Sequence, residues 1–288
     1  MILADRETVK RLERAALQTK LDLFRLCNQT LIHISGDLSC CEIMTVVWQY
    51  LMRYDVQDPR WEGRDRFILS KDRAAAVTSF SQAAIGCYDK EDIYKEYGAD
   101  FGRFAMRSCN LRNPYVDVST GSLGMGLQVA TGLAAGLRLK GNHTSRIYTV
   151  MGDGECAEGS VYEAAELAAA QKMGNIAAFI DRNGMTFDGY TKDLMPLRDL
   201  RAKFEAFGWN AYDVKDGNSI EDLLDACEKI PAADSDKPTV FICHTVKGHG
   251  VSFMANTVAW HAGSISDELH AQCIEEVTNA YKEKWGEI

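Results

Sequence analysis

The sequence predicts an α/β protein with a parallel sheet flanked by helices, and three observations carry that prediction. Short apolar runs of strand length, at 147–151, 176–180 and 239–243, recur along the second half of the chain. Helix-length segments separate them, one with five alanines across 161–172. The first two runs end in polar glycine turns, Gly152-Asp153-Gly154 and Asp181-Arg182-Asn183-Gly184. Strands that alternate with helices of this size return parallel and are covered on both faces.

The elements follow in chain order. Residues about 5–33 and 40–53 place Leu12, Leu21, Phe24 and Leu31 and their neighbours at helical spacing. Residues 66–70 are a short strand candidate, with an alanine-rich helix from Arg73. A glycine loop at 118–126 opens a helix through Leu139. The runs 209–214 and 239–243 alternate with helices near 197–207 and 219–229, and a last helix is expected over 266–284. Only five prolines occur, with no linker and no repeat. One domain over 1–288 is therefore expected, with a helical N-terminal region about 1–60.

Composition narrows the function. The chain has 288 residues, 32 Lys+Arg against 41 Asp+Glu, and a net charge of −9. A chain of this size buries roughly 75% of its unfolded surface and needs no metal or disulfide to fold. The acidic balance shows no basic stripe for nucleic acid. No run of 18 apolar residues spans a membrane, and the charged N-terminus has no signal-peptide core. Nine cysteines lack any CxxC or zinc-ligand spacing, the usage of a reducing compartment, so a cytoplasmic protein is expected.

The candidate chemistry lies thirty residues apart. Asp153 follows one buried strand and Asn183 the next, so parallel neighbours would bring both to the carboxyl edge of the sheet. Gly152 and Gly154 let the backbone approach a phosphate. A carboxylate and an amide carbonyl are hard oxygen donors, suited to magnesium that shares its shell with phosphate. Gly-Asp-Gly by itself is a turn with a capping aspartate; the flanking strands and Asn183-Gly184 make it a magnesium–diphosphate anchor. No Gly-Lys-Ser/Thr phosphate loop is present, and Gly121, Gly124 and Gly126 have the reverse spacing of a dinucleotide fingerprint.

Gly152-Asp153-Gly154-Glu155, Glu158-Gly159, Tyr162-Glu163-Ala164-Ala165 and Asn183-Gly184 together resemble the thiamine diphosphate motif of transketolases. Three further segments resemble the same family in the same order: 65–71, 116–124 and 245–254. The resemblance implies the thiamine diphosphate-binding fold, specifically the domain that holds the cofactor's diphosphate. It implies Asp153, Asn183 and the Met185 carbonyl as magnesium ligands. Gly121, Leu123, Gly152, Gly154, Glu155 and Arg73 would lie at the cofactor. His261, in Trp260-His261-Ala262-Gly263, would be catalytic beside the diphosphate and thiazolium. Glu158 and Glu163 would join a carboxylate network across a subunit interface.

The family's pyrimidine-binding and C-terminal domains find no counterpart, and the glutamate that activates the cofactor belongs to them. The chain, ending at 285–288 near the end of the family's first domain, is thus expected to be an obligate subunit. Its partner would carry the other domains in a heterotetramer of two copies of each chain. The implied activity is transfer of a two-carbon ketol unit from a ketose to an aldehyde.

Three departures bear on the substrate. Ser35-Gly36-Asp37 stands where the family has Ser-Gly-His-Pro-Gly, Ser70-Lys71-Asp72-Arg73 where it has Ser-Lys-Gly-His, and a third histidine falls near Arg107. On this reading only His261 survives of the site histidines. Asp37 and Arg107 then become candidate substrate residues, and the arginines favour a carboxylate, sulfonate or phosphate on the sugar. Alternatively, Arg73 serves the cofactor diphosphate and Arg107 is a surface charge. Two other readings stay open: the α subunit of a 2-oxo-acid dehydrogenase, and a non-catalytic scaffold subunit.

Overall fold

The computed structural model describes residues 5–287; residues 1–4, where the expected helical region begins, and Ile288 lie outside the described residues. Helix α1 (Arg6–Gln29) starts at Asp5, whose carboxylate accepts the Thr8 amide at 2.8 Å. Val9, Leu12, Ala16 and Leu23 form its buried stripe. Two short helices follow, α2 (Ile34–Ser39) and α3 (Cys41–Val46), and the latter runs into a π-helical turn, Val47–Leu51. The expected unbroken helix over 5–33 is corrected: α1 stops at Gln29 because Ile32 leaves it to pair with Gly263.

Five strands form one parallel sheet: β1 (Arg66–Leu69), β2 (Ile147–Gly152), β3 (Ile176–Arg182), β4 (Asn210–Val214) and β5 (Thr239–His244). Their order is β1-β2-β3-β5-β4. Between β1 and β2 lie α4 (Ala75–Ala84), α5 (Lys90–Glu96) and α6 (Met125–Leu139). Helix α7 (Gly159–Ala170) joins β2 to β3; α8 (Thr191–Leu194) and α9 (Leu200–Ala206) precede β4; α10 (Ile220–Cys227) precedes β5. The last helix is α11 (Asp267–Trp285).

Two apolar layers cover the sheet, and strand periodicity assigns residues to them. Phe67, Leu69, Tyr148, Val150, Phe179 and Phe241 pack with α1, α3, α4, α10 and α11. Ile68, Ile147, Met151, Ile176, Ile180 and Ile242 pack with α6, α7 and α9. All nine cysteines are free thiols and eight are buried. Among the described residues no helix is long and apolar enough to cross a membrane.

The register sets the site. Strands β2 and β3 pair side by side through Gly152 opposite Asp181, so the turns after them leave the same edge together. The first turn of α6 is pressed onto the loop after β1. Gly124 takes φ 79°, and a Cβ on Gly126 would fall 2.3 Å from the Ser70 side chain. The glycine loop is thus shaped by helix–loop packing. Gly126→Ala is expected to destabilise the fold by about 1–3 kcal/mol through overpacking. Gly132→Ala, at an exposed α6 position with nothing within 4 Å of the added atom, is expected to stabilise it by about 0.5–1 kcal/mol. Urea unfolding of the two variants checks the contrast.

Candidate functional site

The loops that leave β1, β2, β3 and β5, together with the start of α2, enclose a cavity of about 500 Å³ at the carboxyl edge of the sheet. One buried carboxylate ties the loops after β1, β3 and β5 to α2. Asp181 Oδ2 accepts from the Lys71 ammonium, from Ser39 Oγ at 2.6 Å and from Asn183 Nδ2 at 3.0 Å. Its Oδ1 accepts from Thr245 Oγ1. Lys71 also donates to the Gly36 carbonyl at 2.6 Å. Burial works against the lysine's charge, but Asp181 more than offsets it and raises the pKa above the ordinary lysine value.

Asp153 stands where the β2 and β3 loops meet. Its Oδ1 accepts the Gly154 amide at 2.8 Å and its Oδ2 the Gly184 amide at 2.7 Å. Asn183 points its amide nitrogen at Asp181 and its oxygen toward the Met185 amide at 3.1 Å. Burial, then Asp181 nearby, pushes the Asp153 carboxyl up to about 7. Among the described residues no group of three His, Cys, Asp or Glu could hold a metal. One carboxylate, one amide and one carbonyl instead fit magnesium whose remaining ligands are phosphate and water.

Glu155 has a different task. Its oxygens accept from Ser70 Oγ, from the Gly124 amide at 3.1 Å and from the Gly152 amide at 3.0 Å. It braces the loops behind the cavity rather than offering a free carboxylate to it. The Gly154 amide is likewise committed to Asp153, so its N–H is not left for a diphosphate.

Cations and imidazoles line the same cavity. Arg73 reaches Nε2 of His33 at 3.3 Å, and its Nε is buried without a partner. Lys247 donates to the Thr186 carbonyl at 3.0 Å and pairs with Nδ1 of His261 at 2.8 Å. Burial, followed by repulsion from Lys71, lowers the Lys247 pKa to about 8. Among the described residues neither Arg73 nor Lys247 has a carboxylate in ion-pair contact, whereas Lys71 is paired with Asp181 and Arg107 with Asp72 at 2.8 Å.

The structure therefore brings Arg73, Leu123, Gly152, Asp153, Gly154, Glu155, Asn183, Met185 and His261 to one cavity wall. It does not do so for every expected residue. Asp37 lies within α2, fully buried, where its Oδ1 accepts the Val77 amide at 3.0 Å; the expectation that it meets a substrate is corrected. Arg107 and Gly121 stand outside the cavity lining, joined by a 2.6 Å hydrogen bond from Nη1 to the Gly121 carbonyl. Glu158 precedes α7 and Glu163 lies on it, both exposed. The expectation that only His261 survives is also corrected, because His33 lines the cavity beside it. A histidine two residues before Ser35-Gly36 was the available signal. Asp181 could have been noticed as an ionisable residue closing an apolar run.

Residues 30–286 match the family model described as transketolase, thiamine diphosphate binding domain. An apulose-4-phosphate transketolase subunit from Phocaeicola vulgatus is 34% identical over 247 residues, covering 85% of this chain and 86% of that protein. A 6-deoxy-6-sulfo-D-fructose transketolase subunit from a Clostridium species is 33% identical over 248 residues, covering 85% and 88%. Human transketolase is 33% identical over 255 residues, but the chain spans only 39% of it. Among solved structures, transketolase from Leishmania mexicana superposes with a TM-score of 0.80 at 23% identity, covering 99% of this chain and 48% of that one.

Two expectations test the site's construction. Lys71→Met leaves the Asp181 carboxylate buried without its cation and is expected to cost about 3–5 kcal/mol in urea unfolding, part of it recovered by adding Asp181→Asn. Burial raises the Asp37 pKa from 3.8 to about 7. Between those values the folded state holds a proton that the unfolded state has released, so stability falls as pH rises. The contribution is full below the unfolded pKa and lost through pH 7, at about 1.4 kcal/mol per unit. Asp37→Asn should flatten that slope, and parallel wild-type slopes would contradict it.

Proposed function

The chain belongs to the transketolase family, as its thiamine diphosphate-binding domain, and from that premise we propose that it is one subunit of a two-component transketolase. Its partner would supply the pyrimidine-binding and C-terminal domains, in a heterotetramer of two copies of each chain. The observation that carries the reading is the unmatched charge of the cavity lining. It joins a buried carboxylate that makes no ion pair, Asp153, with two cations that have no carboxylate in ion-pair contact, Arg73 and Lys247. That set suits a magnesium diphosphate at Asp153 and an anionic sugar group at Arg73.

When bound, thiamine diphosphate supplies the nucleophilic carbon that carries a two-carbon ketol unit from a ketose to an aldehyde. Asp153, Asn183 and the Met185 carbonyl would hold the magnesium. Leu123, 45% exposed at the cavity wall, would lie against the cofactor rings. His261 would stand at the reacting carbons. Arg73 would receive a phosphate or sulfonate on the donor, in keeping with the sugars named for the two relatives 33% and 34% identical.

The partner reading is supported by exposed apolar side chains, Leu123 and Phe187 in the cavity lining and Met125, Leu194 and Met195 elsewhere on the surface. Exposed Glu158 and Glu163 at the start of α7 would belong to the same interface. A cytoplasmic location accords with nine free thiols.

The test is reconstitution with the partner chain. Calorimetry should show thiamine diphosphate binding that requires magnesium, and Asp153→Ala should abolish that requirement along with most of the affinity. Arg73→Gln should raise KM for a phosphorylated or sulfonated ketose by about 10- to 100-fold, the worth of a charged hydrogen bond, while sparing an uncharged ketose. A complex that binds no cofactor in magnesium would overturn the reading. Equal loss for charged and uncharged donors would overturn the role of Arg73.

A further inference from the structure

Two imidazoles on the cavity wall each face a cation through one ring nitrogen. Lys247 Nζ lies 2.8 Å from Nδ1 of His261, and Arg73 Nη1 lies 3.3 Å from Nε2 of His33. An ammonium or guanidinium can donate hydrogen bonds and cannot accept them. The nitrogen that faces each cation must therefore be the acceptor, and a neutral imidazole with one accepting nitrogen carries its proton on the other. His261 is thus protonated on Nε2 and His33 on Nδ1, opposite tautomers imposed by two different cations.

The rings are held where that matters. Ile32 and Gly263 exchange backbone hydrogen bonds of 3.1 and 3.0 Å, which fixes the chain before His33 against the chain after His261. The rings meet edge to face with centroids 5.5 Å apart, and Phe187 closes the other side of His261 at 5.0 Å. Nε2 of His261 is buried and has no partner among the described residues. A buried, unpaired N–H costs free energy in the resting protein. It is also how a site keeps a donor ready for an oxygen atom that arrives later. Both rings stay uncharged near neutral pH. Burial, then Lys247, lowers His261 to about 3; burial, then Arg73, lowers His33 to about 4.

We propose that Lys247 is a positioning residue that locks His261 as the Nε2–H tautomer, so that the cavity offers an unpaired donor to an acceptor oxygen at the reacting end of the substrate. Arg73 locks His33 in the opposite sense. The wall then distinguishes substrates by their acceptor atoms: carbonyl, hydroxyl and alkoxide oxygens satisfy it, and an ammonium or other pure donor at the same place does not. The use made of the donor rests on the transketolase reading, but the tautomer does not.

The experiment is two-dimensional long-range proton–nitrogen correlation on the full-length chain with nitrogen-15-labelled histidine, His261→Gln giving the assignment. Between pH 5.5 and 7, where Lys247 is the ammonium, His261 should show a protonated Nε2 and a bare Nδ1, with no titration. Lys247→Met should release it to a mixture of tautomers, and Lys247→Arg should preserve the wild-type pattern. A wild-type His261 protonated on Nδ1, or already a mixture, would overturn the proposal by itself, whether or not the variants fold. So would a folded Lys247→Met chain with an unchanged pattern. Absence of two-carbon transfer in the assembled complex would overturn the transketolase reading and leave this spectrum as it is; an Nδ1-protonated His261 in an active complex would overturn the proposal alone.

Discussion

The site depends on the burial of one carboxylate. Asp181, at the end of the central strand β3, is fully buried and bonded to groups from four parts of the chain: Lys71 after β1, Ser39 on α2, Asn183 after its own strand and Thr245 after β5. A charge in such a place is tolerated only when it is paired and its lone pairs are filled. That requirement draws three loops and the end of α2 to one point and leaves each a single arrangement. The cavity exists because these loops converge at one edge of the sheet.

Two opposite charge deficits remain once the loops are set. Asp153 sits beside Asp181 without a cation of its own, and Arg73 and Lys247 face the cavity without a carboxylate. The pairing of Lys71 with Asp181 and of Arg107 with Asp72 leaves Asp153, Arg73 and Lys247 unmatched. The imidazoles on the same wall add direction without adding charge.

Much of the fold was legible in the sequence because the signals were local. The runs at 147–151, 176–180 and 239–243 became β2, β3 and β5 within one or two residues at each end. The helices near 197–207 and 219–229 appeared, shortened, as α9 and α10. Asp153 and Asn183 were placed together by the βαβ argument, since parallel neighbours must emit their loops from one edge. His33 was missed because its one signal, a position two residues before Ser35-Gly36, does not by itself separate a histidine that opens a helix at the cavity from one on the surface. Asp37 and Arg107 were placed by alignment with a histidine pattern, and alignment does not say which way a side chain turns.

The sequence by itself determined the parallel sheet, the pairing of the two glycine turns and the family to which they belong. The first two follow from residue spacing and the family from motif resemblance, and both survive without coordinates. The tertiary structure alone decided which polar residues are committed to one another. Asp181 takes Lys71, Glu155 takes the loop amides, Asp37 takes the Val77 amide, and Nε of Arg73 and Nε2 of His261 are left without a partner among the described residues. The physical reason is that a hydrogen bond or ion pair is settled over a few ångströms between groups that can lie more than a hundred residues apart, as Lys71 and Asp181 do.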